Sequence, residues 1–362
     1  MNNYSRAVAA AALSLLLFAT ACVAPTSEPA GSTAAEEAAT AEMAEESSDE
    51  TGDTLVIYSG RNENLVGPLL DMFSESSGVN VEVRYGGTAE MASVILEEGP
   101  SSPADLFYGQ DAGALGALAQ AGRCAPLDSS ATELVDARFV DPNGQWVGVS
   151  GRARVLVYNT EELSDADLPA SVLDLTGEEW RGRVGWAPTN GSFQAFVTAM
   201  RVNLGEEETR AWLEGMIAND VQSYSGNTPI VEATGAGEIY AGLVNHYYLY
   251  RFLAEDPGFP AANYNFPAGD VGSMINVAGA CVLDSASNAD AANQFIAYLL
   301  SAEAQEYFVQ ETNEYPLADG EYTLVDGLTP LSEIDTPAFN LGDIADLQGT
   351  VDLLTDVGAF DQ

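Results

Sequence analysis

Residues 54–108 read TLVIYSGRNENLVGPLLDMFSESSGVNVEVRYGGTAEMASVILEEGPSSPADLFY, and the alternation of periods within them decides the fold. Thr54–Ser59 is a short apolar run, which predicts a buried strand. Over 64–76 the apolar residues Leu65, Leu69, Met72 and Phe73 recur at helical spacing. Asn80–Tyr85 alternates as a strand does. A second helix is predicted over 89–98, with Met91, Ile95 and Leu96 on one face. Residues 105–108 read as a third strand and 112–121 as a helix of small residues. Strand and helix in strict alternation predict an α/β fold with a mostly parallel sheet.

The rhythm continues outward from this core. Residues 152–158 (RARVLVY) predict a strand, 184–186 a strand, and 192–203 a helix. An apolar, glycine-containing segment spans 274–283. Helices are predicted over 291–301, 303–312 and 344–357. No internal repeat, phosphate-binding loop, GxSxG or HExxH is found. The acidic runs at Glu97-Glu98, Glu178-Glu179 and Glu206-Glu207-Glu208 read as solvated faces rather than catalytic pairs. An enzyme is therefore not expected.

The N-terminus predicts export. Arg6 supplies a short positive region, 7–18 is apolar, and Ala19-Thr20-Ala21 precedes Cys22. The apolar stretch is too short to span ~30 Å of hydrocarbon comfortably. Residues 1–21 read as a lipoprotein signal peptide that leaves Cys22 as the lipid-bearing first residue; plain secretion after Ala21 is the other outcome. Residues 23–53, rich in Ala, Glu, Ser and Thr and free of aromatics, cannot build a core, so 22–53 is expected to be a lipidated cysteine with a disordered acidic tether. If Cys22 carries lipid, Cys124 and Cys281 remain, and an extracytoplasmic setting permits a disulfide between them. Three cysteines and one histidine argue against a Cys/His zinc site.

Acids number 55 against 12 basic residues, all arginine, for a net charge of −43. That balance excludes a nucleic-acid footprint and a basic membrane-binding patch. The tether holds nine of the acids, so the remainder still carries a large excess. It reads as a surface suited to salt rather than as a binding site.

The densest chemical signal is NHYYLY at 245–250. Adjacent tyrosines on a strand point to opposite faces, so both reach one site only from a helix end or an irregular turn. Such clusters also occur in cores. A phenolate is a hard oxygen donor suited to a hard cation such as Fe(III).

In this setting the chain resembles the ferric iron-binding proteins of ABC importers, a branch of the extracellular solute-binding proteins. The segments that carry the resemblance are VIYSGR (56–61), YGGTAE (85–90), SPADLFY (102–108), GRARVLVYN (151–159), PTNGSF (188–193) and the pair Tyr247 and Tyr248. The resemblance implies a two-lobed periplasmic-binding-protein fold of type II, each lobe a mixed or mostly parallel sheet flanked by helices. Two crossing hinge strands are expected near 152–158 and 274–283. The N-terminal lobe would be 54–152 plus 277–325, and the C-terminal lobe 153–276 plus 326–362.

The resemblance also implies roles. Tyr247 and Tyr248 fall on the family's metal-binding pair. The family's histidine position holds Asn62 and its glutamate position Gln110, leaving both as cleft-lining amides. Glu63 and Asp111, one residue along, are hard carboxylate donors and the expected further metal ligands; each equally suits a helix N-terminus. The anion positions fall on Asn190, Gly191 and Ser192, with Asn227 and Asn245 opposite, and Arg152 lends charge more readily than Arg154. His246 is expected to pack or to hydrogen-bond rather than to ligate. The implied cargo is Fe(III) with phosphate or carbonate as synergistic anion, passed to an ABC permease and its ATPase by a monomer anchored to the outer face of the cytoplasmic membrane. The alternative is the same fold holding an anion, a small organic acid or a chelated metal.

Overall fold

The computed structural model describes residues 54–362; the expected signal, Cys22 and the tether lie outside the described residues. β1 (Thr54–Ser59), α1 (Glu63–Ser77), β2 (Asn80–Tyr85), α2 (Thr88–Glu98), β3 (Leu106–Gly109) and α3 (Ala112–Gln120) follow the predicted rhythm. A short α4 (Ser129–Thr132) precedes the long β4 (Val147–Asn159). Then come β5 (Val184–Trp186), α5 (Gly191–Leu204), α6 (Glu206–Ala218), β6 (Gln222–Ser223), α7 (Asn227–Gly235), β7 (Ala241–Asn245), α8 (Tyr247–Glu255) and β8 (Ala261–Tyr264). The chain ends with β9 (Ile275–Val282), α9 (Ala289–Leu299), α10 (Ala302–Thr312), β10 (Tyr315–Pro316) and α11 (Leu347–Asp356). Among the described residues no helix is long and apolar enough to cross a membrane.

The strands run in the order β2-β1-β3-β9-β4-β7-β5-β6, with β8 and β10 also on β4. β1 pairs in parallel with β2 and β3. β5 pairs in parallel with β6 and β7. β4 joins the two halves. Its first part, from Val147 to Ala153, lies antiparallel to β9, and β10 pairs it at Ser150 and Gly151. Its second part, from Arg154 on, lies between β7 and β8. This is a two-lobed fold with the lobes sharing a strand. Twelve of the thirteen β4 residues are buried, the polar Ser150, Arg152, Arg154 and Asn159 among them, so polarity along the strand does not report which face is exposed. β4 starts five residues before the predicted 152, at VGVSG, where a register shift between Gly148 and Ser150 breaks the alternation that would have marked it.

Four helices went unpredicted, the single-turn α4 among them. α6 opens on Glu206, Glu207 and Glu208, which read as solvated acids and are also the acids a helix first turn favours. α7 carries few regularly spaced apolar residues, and α8 is short and opens on adjacent tyrosines that read equally as a core cluster.

The lobes meet again at the C-terminal segment. Leu341–Ala345 form a 3-10 turn on α3, whose Gly113 and Gly116 allow backbone to touch backbone. A Cβ at Gly116 would sit 2.5 Å from the Gly342 carbonyl oxygen. The chain then packs α11 on α5, where Thr350 and Thr198 share a buried hydroxyl hydrogen bond of 2.7 Å and Asp346 pairs with Arg201 at 2.9 Å. Gly116→Ala is expected to lower stability by ~1–3 kcal/mol, the usual cost of overpacking, measured by urea unfolding. An unchanged midpoint would show that the segment yields freely.

The pairing that sequence left open is present. Cys124 and Cys281 form a disulfide with Cα atoms 5.7 Å apart. It ties the segment after α3 to β9.

Candidate functional site

Helix N-termini from both lobes point into one cleft. The turns β2–α2 and β3–α3 supply one wall and the turns β5–α5 and β7–α8 the other, all at the carboxyl ends of their strands, where α/β sheets place ligands. The cleft is a cavity of about 350 Å³. Thr88, Glu90, Gln110 and Asp111 line one side; Asn190, Gly191, Ser192, Gln194, Tyr247 and Tyr248 line the other; Arg152 and Asn276, from the two hinge strands, lie between them.

Tyr247 and Tyr248 are the first two residues of α8. A helix start is one of the two settings in which adjacent tyrosines share a site. Their rings stack with centroids 4.4 Å apart and planes inclined by 28°. The Arg251 guanidinium lies 5.9 and 5.5 Å from the two ring centroids. Burial, followed by the charge of Tyr247 and a hydrogen bond with it, raises the Tyr248 phenol above its ordinary range, against the pull of Arg251 and Arg152. Tyr248 therefore favours its phenol form, and a nearby cation would make its phenolate favourable.

Arg152 is 2% exposed, and its Nε and Nη2 have no hydrogen-bond partner among the described residues. A buried guanidinium with unmet donors is costly unless something anionic meets it. Arg154, also buried, spends its guanidinium elsewhere. It donates to the Leu243 carbonyl at 2.8 Å and lies over Phe193 and Phe196, and burial lowers it to about 9. Arg154 reaches only a small side cavity, which Arg152, Ser192, Asn245 and Asn276 also line.

The asparagines form a chain of hydrogen bonds. Asn190 caps α5, its Oδ1 accepting from the Ser192 N–H at 3.1 Å and from Asn227 Nδ2 at 3.3 Å. Asn227 Oδ1 in turn accepts from the Asn245 N–H at 3.0 Å. Asn227 does not line the cleft; it braces the two residues flanking it.

The carboxylates are partly committed to the fold. Asp111 caps α3, accepting from the Ala114 N–H at 3.0 Å, and burial raises its carboxyl. Glu90 accepts from the Gly87 N–H at 3.2 Å. Glu63 is exposed on the first turn of α1 and lines a neighbouring cavity with the cap residue Asn62; the two cavities share Gly60 and Gln110. Among the described residues no three His, Cys, Asp or Glu side chains converge as a metal-binding group.

Glu90 and Asn276 escaped the sequence reading. Glu90 follows Gly87 by three residues, the spacing of a capping box, which was a usable signal. Asn276 Oδ1 accepts from the Ala112 N–H at 3.1 Å, 164 residues away, and nothing local announces that contact.

His246 is engaged at both ring nitrogens. Nδ1 accepts from the Ala153 N–H at 3.0 Å, and Nε2 lies 2.8 Å from the Asn313 carbonyl oxygen, so Nε2 carries the proton. Burial pushes its pKa down to about 4, so the ring is neutral. It has no lone pair free for a metal.

Residues 101–335 match the model of the bacterial extracellular solute-binding proteins. The chain belongs to that family. It is 33% identical over 308 residues to the Fe(3+)-binding periplasmic protein of Serratia marcescens, covering 84% of this chain and 90% of the relative. It is 32% identical to the major ferric iron-binding protein of Neisseria meningitidis serogroup B, covering 84% and 92%. Among solved structures, iron-bound HitA from Pseudomonas aeruginosa superposes with a TM-score of 0.78 at 34% identity, covering 84% and 99% of the two chains. A Trichodesmium protein in complex with iron and citrate superposes at 0.74 with 28% identity, covering 84% and 99%. This solute-binding protein is thus an extracytoplasmic transport component and not an enzyme.

Proposed function

We propose that this solute-binding protein captures ferric iron between its lobes and hands it to an ABC permease powered by an ATPase. The observation that carries this is the stacked pair Tyr247 and Tyr248 on the first turn of α8, facing a cleft that also holds Asp111 and Glu90. Fe(III) is a hard cation, and phenolate and carboxylate oxygens are its matched donors. Two phenolates and the Asp111 carboxylate balance its three charges. Glu63 would join from the neighbouring cavity as the lobes close.

An anion completes the shell. Phosphate or carbonate would lie against Arg152, whose Nε and Nη2 lack partners, and against the first backbone amides of α5 at Gly191 and Ser192. Asn190 and Asn245 shape that pocket and Asn227 braces them. The small-chelate alternative draws on a specific observation: Asp111 and Glu90 already cap helices, which favours cargo that brings oxygens of its own. The anchor on Cys22, the permease contact and the monomeric state complete the proposal.

The test is Fe(III) uptake by the purified protein with and without phosphate or carbonate, followed by the visible phenolate-to-iron charge-transfer band and by native mass spectrometry. A colourless protein that takes up no Fe(III) under either condition overturns the iron reading, and a bound organic acid in the spectrum supports the chelate. Arg152→Gln is expected to weaken iron retention roughly 10–100-fold, the range seen when a residue supporting a metal site is lost. The dependence on added phosphate should flatten with it; an unaltered anion dependence would remove Arg152 from the site.

A further inference from the structure

The residue just before the tyrosine pair is tied down at every polar atom. The His246 N–H donates to the Ala153 carbonyl at 3.0 Å, and its own carbonyl accepts from Asn263 Nδ2 at 2.8 Å. The ring then adds two more bonds, from the Ala153 N–H to Nδ1 and from Nε2 to the Asn313 carbonyl. Ala153 is where β4 leaves its partner β9 for β7, so the imidazole fills the gap in the ladder at the crossover itself.

The Asn313 carbonyl belongs to the other lobe. Asn313 ends α10 in the left-handed region, at φ +53°, a conformation asparagine tolerates better than most residues. The next residue, Glu314, is held by Arg61 and Ser150. The His246 ring also lies 4.7 Å from the ring of Tyr315 in β10, inclined by 31°. One side chain of the β7–α8 turn thus grips the hinge strand and the α10–β10 turn of the opposite lobe.

We propose that His246 is a positioning residue for the tyrosine pair, fixing the first turn of α8 at the pivot so that both phenols are set in place before the lobes close. The inference rests on the ferric reading above. Points on a pivot move least when the lobes swing. The tyrosines would then form a standing half-site, and closure would bring Asp111 and the α2 wall to them.

The experiment compares the full chain with His246→Phe, which keeps the ring volume and loses both ring bonds, and His246→Gln, which can keep one. Each is loaded with Fe(III) and phosphate. The charge-transfer band and the rate of iron loss to excess EDTA are recorded, with far-UV circular dichroism as the check on folding. In His246→Phe the band should weaken or shift and release should quicken roughly tenfold or more, as for other outer supports of metal ligands; His246→Gln should fall between. A residue that merely packs would leave band and release unchanged, and a wild-type band and rate in folded His246→Phe overturns the proposal. If that variant does not fold, the decision passes to His246→Gln and to the single labelled imidazole of the [15N]histidine protein. Its Nε2–H tautomer should persist from the unloaded to the Ga(III)-loaded form, and an Nδ1–H tautomer, or a ring shift typical of ligation, would refute it. A wild-type protein with no iron band at all removes the ferric reading, and this inference with it, which is a different outcome from wild-type behaviour in the variants.

Discussion

Tyr247→Phe combined with Tyr248→Phe is expected to yield a folded, colourless protein whose affinity for Fe(III) falls by at least about three orders of magnitude, or ~4 kcal/mol. The substitutions remove two oxygens and leave the stacked rings, 4.4 Å apart, with nearly the same packing volume. Burial raises the Tyr248 phenol, so of the two phenols proposed as ligands this one is not ionised in advance. Their deprotonation is coupled to the cation, so a hard trivalent ion gains two anionic ligands that a softer or less charged ion cannot induce as well. Uptake of Fe(III) should accordingly release protons, and the double variant should release fewer. Competitive titration against a chelator checks the affinity. Retention of affinity without colour would mean that iron is held by the Asp111 and Glu63 side of the cleft, and retention of both would remove the tyrosine pair from the site.

Glu314→Gln is expected to cost ~3–5 kcal/mol of folding stability, the penalty for leaving a buried charge unpaired. Glu314 and Arg61 meet in a bidentate pair at 3.0 and 2.9 Å, with side chains 2% and 1% exposed, and Ser150 Oγ donates to the same carboxylate at 2.6 Å. The pair is worth less than its removal suggests, so Arg61→Met with Glu314→Leu should recover much of the loss. The pH dependence follows from the same geometry. Burial alone would raise the Glu314 carboxyl, but the charges of Arg61 and Arg152 and the bonds from Arg61 and Ser150 outweigh it, and the net shift is below the ordinary 4.5. The folded state therefore holds this proton less tightly than the unfolded chain. The contribution of Glu314 is in full force above pH ~4.5 and is lost as pH falls through the lower folded value. Urea unfolding of wild type and variant across pH 3–7 should show the two stabilities converging at the acid end. A variant within ~1 kcal/mol of wild type at neutral pH would count against the account.

The first lobe was legible in the sequence because its elements alternate cleanly between the two periods. β1 and β2 fall on the predicted residues, and α1, α2 and α3 differ by one residue at most at either end. The hinge was half legible. The strand residues from Arg152 on announced themselves, while VGVSG before them did not, since glycines that let backbones approach leave no hydrophobic pattern. In the site, strand geometry narrowed Tyr247 and Tyr248 to a helix end or an irregular turn, and the family resemblance rather than the geometry named them as a pair; the helix start is what the fold adds. What stayed hidden depends on long-range contact: Asn276 capping α3, Cys124 meeting Cys281, and the buried Glu314 answering Arg61 across 253 residues. A polar residue in an apolar strand and a carboxylate after a helix do not name their partners, because burial and pairing are properties of the folded chain. Glu90 is a different case, since its capping spacing was visible and its place in the cleft was not.

The chain passes between the lobes three times: along β4, between β8 and β9, and through the C-terminal segment that lies on α3 before packing α11 on α5. Mechanically, this is a joint with three tethers. Two tethers would allow one body to twist as well as bend against the other. A third, packed against the glycine face of α3, would resist torsion and leave bending as the softer motion. One distance measured across the cleft is therefore expected to follow the stroke of closure.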